Sequence, residues 1–186
     1  NIGRTKTRSI MRKLKLIVRQ RRAYRVTTQR DLTHAVAPNL VNMNFNPTGP
    51  NQVWAGDITY LKTGEGWMYL SIVMDLYSRR IIGWAISPRM TTNLILQSIR
   101  KEFVKMNIKP SMGDVGACWD NAVVESFFGS LKHDWILKVH HATREEMVQD
   151  VAAYMRYYNL ERLHTANGDV SPVEYENCKK KVSTFG

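Results

Sequence analysis

Trp54-Ala55-Gly56-Asp57-Ile58-Thr59-Tyr60-Leu61-Lys62-Thr63, then Gly64-Glu65-Gly66, then Trp67-Met68-Tyr69-Leu70-Ser71-Ile72-Val73-Met74-Asp75-Leu76 is the stretch that decides the fold class. Two runs rich in β-branched and aromatic residues flank a short turn bracketed by glycines, which is the pattern of a β-hairpin. The second run is almost continuously apolar, so it is expected to be buried on both faces. A third strand is predicted over Arg80 to Ser87, and a helix opens at Thr91 or Thr92 with Leu94, Ile95 and Ile99 on one face. Strands first and helices later favour an α+β or mixed α/β layer fold.

Downstream, Ile108 to Ser111 reads as short and extended, and Met112 to Trp119 as glycine-rich loop. Asp120 or Asn121 can cap a helix whose buried stripe is Val124, Phe127, Phe128 and Leu131. Ala122, Glu125, Gly129 and Lys132 recur on another face of that helix, where small neighbours leave Glu125 open to a bulky substrate and Lys132 can meet a phosphate. Thr143-Arg144-Glu145-Glu146 is a capping-box pattern for a long helix carrying Met147, Val151, Tyr154 and Tyr158 and ending between Asn159 and His164. Ser171-Pro172 reads as a turn before a tail containing Lys179-Lys180-Lys181. The expected organisation is a basic arm over 1–32, a Pro- and Asn-rich linker over 33–50, a core over 51–176 and a basic tail over 177–186.

Charge is concentrated at one end. The net charge is +11, and the first 30 residues hold eleven Lys and Arg with no acid, so the rest of the chain is balanced. Arg4, Lys6, Arg8, Arg12, Lys13, Lys15, Arg19, Arg21 and Arg22 belong to this arm, and Ile10, Met11 and Leu14 predict a short amphipathic helix over about Thr5 to Leu16. Such a cluster suits a polyanion, because each cation laid on a phosphate releases condensed counterions; a merely solubilising tail is the alternative. No run approaches the length of a membrane span, and the first thirty residues are too basic for a secretory signal. Cys118 and Cys178 lie far apart without zinc-ligand spacing, which points to a reducing cytoplasm. The chain starts at Asn1 rather than Met, so a preceding segment is expected, and the arm's helix would then close a DNA-binding unit begun upstream.

Asp57 in a strand and Glu125 on a helix are the acids with chemical promise. Breaking and rejoining a phosphodiester needs the attacking oxygen activated and the leaving oxygen stabilised, which two divalent ions about 4 Å apart accomplish together. Such hard cations take carboxylate oxygens and complete their shells with water and phosphate. Taken singly, an acid in a strand or on a helix is more often a solvated residue.

The surroundings of the two acids go further. Asn51 to Tyr60, Asp75-Leu76-Tyr77-Ser78-Arg79-Arg80 and Cys118 to Lys132 closely resemble bacterial transposases of the insertion-sequence-three family, and Tyr158-Asn159-x-x-Arg162-x-His164 followed by Ser171-Pro172 is similar to that family's C-terminal signature. The resemblance implies an RNase H-like integrase catalytic core. It implies Asp57 and Glu125 as the first and third acids of a triad binding Mg²⁺ or Mn²⁺. Its implied partner is double-stranded DNA, bound by the basic arm and Lys132, with a homo-oligomer assembled on element ends in a bacterial, nucleoid-associated setting. Arg79 and Arg80 would touch phosphate or form a solvated hairpin end, and Arg162 and His164 would contact DNA or brace the C-terminus.

One feature departs from the family pattern. The second acid stands there in a His-Ser-Asp-Arg-Gly-Ser-Gln-Tyr-like motif before the Glu, and no such stretch occurs here. The helix from Thr91 runs through Ile99-Arg100 straight into Lys101-Glu102-Phe103, as if about 25 to 35 residues were absent near 100–101. Either this sequence omits a segment the protein possesses, or the protein has lost it and is a catalytically inactive DNA-binding remnant, or Asp75, Asp114 or Asp120 stands in.

Overall fold

The computed structural model describes residues 3–16, 38–41, 46–103, 109, 111 and 122–183. The chain divides into two units, Asn1–Ala35 and Val36–Gly186. In the first, helix α1 spans Arg4–Lys13, with Arg12 and Lys13 in its last turn and no buried residue. Cations at that end complement the partial negative charge of the helix C-terminus. Arg19, Arg21 and Arg22 lie outside the described residues.

The second unit is built on three antiparallel strands in the order β1-β2-β3, with β1 at Trp54–Thr63, β2 at Gly66–Asp75 and β3 at Ile81–Ser87. β1 has the boundaries its sequence predicts, β2 starts and ends one residue earlier than expected, and β3 starts one residue later and ends at Ser87 as expected. The turn is the two residues Gly64 and Glu65, with Gly66 at φ 116° opening β2. Residues 70 through 76 are all buried, as the continuous apolar run predicts.

Each sheet face carries a helical layer. On one side lies α2, Thr92–Phe103, whose Ser98 hydroxyl is 3.0 Å from that of Ser71. Leu94 is buried as expected, but Ile95 is 40% exposed and Ser98 takes the inward position instead. The reason is close approach: α2 sits so near β3 at Gly83 that a Cβ there would collide with the Ser98 carbonyl oxygen, which leaves no room for a larger inward side chain. The helix runs without interruption across positions 100 and 101.

On the other side, Leu61, Met68, Leu70, Ile72 and Met74 pack with Val124, Phe127 and Phe128 of α3 (Ala122–Ser130), with Leu131 just beyond it, and with Met147, Val151, Tyr154 and Tyr158 of α4 (Arg144–Leu160). The expected buried stripes of both helices are therefore the observed ones. The Phe127 ring meets Tyr158 edge-on at 4.7 Å and Tyr154 at 5.9 Å. After α3 the chain widens into a π-turn, Leu131–Trp135, and then a 3-10 turn, Ile136–Lys138.

The predicted capping box opens α4: Thr143 Oγ1 accepts from the Glu146 amide at 3.2 Å, and Glu146 Oε2 accepts from the Thr143 amide at 3.2 Å. The β1–β2 turn is fastened to the same helix start, where the Arg144 amide donates to Glu65 Oε2 at 2.8 Å. The expected caps Asp120 and Asn121 lie outside the described residues.

Ser171-Pro172 corrects a sequence expectation. It is not a turn before a tail but the start of helix α5, Pro172–Ser183. Proline suits the first helical position, where its missing N–H would have had no partner, and the Ser171 hydroxyl accepts from the Glu174 amide at 3.3 Å. α5 then braces the β2–β3 turn through Glu176, which receives the Ser78 hydroxyl at 2.7 Å and the Arg80 guanidinium at 2.8 Å. Arg80 is thus tied to α5 while its side chain stays partly exposed.

Gly83→Ala is expected to lower stability by about 1–3 kcal/mol, because helix backbone must retreat from the sheet. Gly129→Ala, with nothing within 4 Å of the added methyl, is expected to be neutral or mildly stabilising. Urea unfolding of the two variants side by side checks the contrast.

Candidate active site and nucleic-acid interface

Asp57 lies on β1 directly opposite Ile72 of β2. Residues opposite each other across a ladder share a face, so Asp57 stands on the side of the sheet that packs against α3 and α4. It is exposed there, and its Oδ1 accepts the Ile58 amide at 2.7 Å. Glu125 is also exposed, one residue along from the fully buried Val124 of α3. α3 and β1 are in contact, so the two acids stand on touching elements on one side of the sheet.

Lys132 lies just beyond the end of α3. It begins the second residue of the π-turn, is half-buried, and holds its Nζ 4.8 Å from the centroid of the Tyr60 ring on β1. Burial lowers its pKa from the ordinary lysine value. Tyr60 is 60% exposed and meets the exposed Trp67 edge-on at 5.3 Å. These exposed aromatics have no motif of their own, and the ladder register puts them on the sheet face opposite Asp57. Gly129, on the Glu125 face, has open space where a side chain would be.

Asp57 and Glu125 offer the hard oxygen donors that Mg²⁺ or Mn²⁺ prefers, and Mg²⁺ commonly takes only one or two carboxylates. Among the described residues no group of three His, Cys, Asp or Glu could hold a metal. Asp75 does not complete the set. It is 1% exposed, with Oδ2 accepting the Asn51 amide at 2.8 Å and Oδ1 the Tyr77 amide at 3.0 Å, and burial raises its pKa. It organises the β2–β3 turn. Asp114 and Asp120 lie outside the described residues.

A cleft of about 330 Å³ opens beside this group, between α3 and the segment after α4. Its walls include Arg79, Ser126, Ser130, Tyr158, Arg162 and His164. Arg79 sits at φ 64° in the β2–β3 turn. Arg162 donates from Nη2 to the Ser130 hydroxyl at 3.1 Å and lies 5.7 Å from the Tyr158 ring centroid. His164 stands edge-on to the same ring at 4.7 Å, with its Nε2 buried and lacking a hydrogen-bond partner. Burial first, then the charges of Arg162 and Arg79, push the imidazole down to about 4. Asn159 does different work: its side chain accepts from the Ile81 amide and donates to the Ile81 carbonyl, both at 2.9 Å, mimicking a neighbouring strand. Within the Tyr158 to His164 signature, bracing and cleft-lining are thus divided between residues.

Comparison with known proteins gives concordant matches. Integrase core domain families match residues 47–132 and 106–172. The transposase InsF for insertion sequence IS3A of Escherichia coli strain K12 is 40% identical over 171 residues, taking in 76% of this chain and 59% of that protein. The insertion element IS600 uncharacterized 31 kDa protein of Shigella sonnei is 32% identical over 203 residues, taking in 94% of this chain and 75% of that protein. The chain thus spans 59% of the length of the InsF relatives. Since 76% of 186 is about 141, a 171-residue alignment leaves about 30 positions of InsF without a counterpart here. By the same reckoning 94% is about 175, against 203 aligned positions, which leaves about 28 for the IS600 protein.

The depressed His164 pKa has a measurable consequence. The unfolded chain binds a proton near the ordinary value of 6.5, while the folded chain resists it until about 4, so stability is full above 6.5 and declines as pH falls toward 4. In His164→Asn this part of the acid slope should vanish, reducing the pH dependence of unfolding by up to about one proton. Urea melts at several pH values across that window measure it.

Proposed function

This chain belongs to the insertion-sequence-three family of transposases, with an RNase H-like integrase core, and we propose that it carries out metal-dependent DNA cleavage and strand transfer at element ends. The observation that carries the reading is the placement of Asp57 and Glu125, exposed on touching elements on one side of the sheet. In this reading Asp57 and Glu125 hold Mg²⁺ or Mn²⁺, which supplies activation of the attacking oxygen and stabilisation of the leaving one. Lys132 offers a cation on the helix face of Glu125. The exposed cations of α1, namely Arg4, Lys6, Arg8, Arg12 and Lys13, with Lys15 just beyond it, hold duplex DNA through its phosphates. A dimer or larger assembly on paired ends, in the bacterial cytoplasm at the nucleoid, completes the proposal.

The alternative raised by the sequence turns on the roughly thirty alignment positions without a counterpart. If the second acid belonged to that stretch, this chain would be a DNA-binding remnant that no longer joins strands.

The test is a strand-transfer assay with Mg²⁺ and with Mn²⁺ on duplexes bearing an element end. Joined product from the 186-residue chain, lost by at least about a hundredfold in Glu125→Gln and Asp57→Asn, is the expected outcome. Tight duplex binding without product under either metal would establish the remnant instead. Arg12→Gln with Lys13→Gln should lower the slope of log affinity against log salt by about 2 without altering the core.

A further inference from the structure

We propose that the cleft walled by Arg79, Arg162, Ser126 and Ser130 is a phosphate-binding subsite of the core, taking one backbone phosphodiester of duplex DNA; the choice of DNA rests on the transposase reading. Two guanidinium groups share this one concavity, and no Asp or Glu is among its described lining residues. Both arginines line the cleft with His164, whose pKa burial and their charges hold down. The imidazole is therefore neutral at physiological pH, and the positive charge of the cleft resides on the arginines.

The donors suit a tetrahedral oxyanion. Arg162 is steadied against the Tyr158 ring and uses Nη2 to donate to Ser130, which leaves its other N–H groups for a ligand. A guanidinium fork held in this way recognises phosphate with little loss of rotamer freedom. Ser126 is exposed and adds a second hydroxyl from the same helix face as Ser130, one turn earlier. Burial lowers the Arg79 pKa, yet a guanidinium remains charged at neutral pH, and a cation in a partly dehydrated wall attracts an anion more strongly than one in open water.

Location gives the site its use. Ser126 follows Glu125 directly, so it projects about 100° further round α3. A phosphate seated at Ser126 and Ser130 would lie on the helix face next to the one carrying Glu125. The cleft would then fix the position of the strand while chemistry takes place around the corner, separately from the arm.

The experiment uses the full chain in EDTA, so that it reads binding alone and stands whether or not strands are joined. Fluorescence anisotropy of a labelled duplex of about 20 base pairs is followed between ~50 and ~200 mM KCl. Ser126→Asp places a carboxylate in the cleft at an exposed position, Arg162→Gln removes a cation, and Ala152→Asp adds the same charge at an exposed site on α4 that does not line the cleft. Expected is a three- to tenfold weakening and a salt slope reduced by about 1 for the first two, with Ala152→Asp near the parent. Thermal unfolding of Ser126→Asp should match the parent, which separates binding from folding should Arg162→Gln prove unstable.

In a second arm, the side-chain nitrogen resonances of His164 are followed by NMR during titration with inorganic phosphate against chloride at equal ionic strength. A phosphate response lost in Ser126→Asp, together with the reduced duplex slope, supports the proposal. A phosphate response with an unchanged slope overturns DNA as the source and assigns the cleft to free phosphate. No response in either arm overturns the site altogether.

Discussion

Strand β2 has no solvent face from residue 70 to residue 76, and a strand buried on both sides requires a layer on each. The rest of the core follows from meeting that requirement with few residues. On one face the requirement is met by near-contact of backbones, α2 lying on Gly83 with Ser71 and Ser98 paired between them. On the other it is met by bulk, with Phe127, Tyr154 and Tyr158 interlocked against Leu70 and Ile72. Because α3 must present Phe127 and Phe128 to β2, its Glu125 is turned outward near β1, and the acid of the strand and the acid of the helix come to one side of the sheet.

Much of this was legible from residue order. β1 was readable from its β-branched and aromatic residues before a glycine-bracketed turn, β2 from its unbroken apolar run, α4 from its capping box, and the buried stripes of α3 and α4 from their spacing. What escaped had a tertiary cause. Ile95 looked as suitable for the interior as Leu94, and only the closeness of α2 to Gly83 gave the inward place to Ser98. Ser171-Pro172 reads as a turn from the sequence, and only the Ser171 cap and the Glu176 ties make it a helix start.

The candidate site was legible in a different way. Asp57 and Glu125 are ordinary acids by spacing, and their neighbours rather than their periodicity single them out. The cleft was not legible at all, since Arg79, Ser126 and Arg162 come from a hairpin turn, a helix and the segment after another helix. What the Tyr158 to His164 signature could not disclose is its division of labour: Asn159 serves β3, while Arg162 and His164 turn toward α3.

The π-turn at Leu131–Trp135 carries a consequence for how this helical region can vary. A wide turn holds one residue more than an α-helical turn would, so it shifts the angular phase of everything after it. Trp135 depends on that shift: its Nε1 donates to Asp150 at 3.3 Å, and its ring packs on Tyr154 and Tyr157. Winding the same five residues as plain α-helix would swing Trp135 by about 90° from those partners, whereas excising one residue would leave it in phase. The extra residue thus works as a phase adjuster, letting the direction of Glu125 and the seating of Trp135 be set independently along one continuous run of chain.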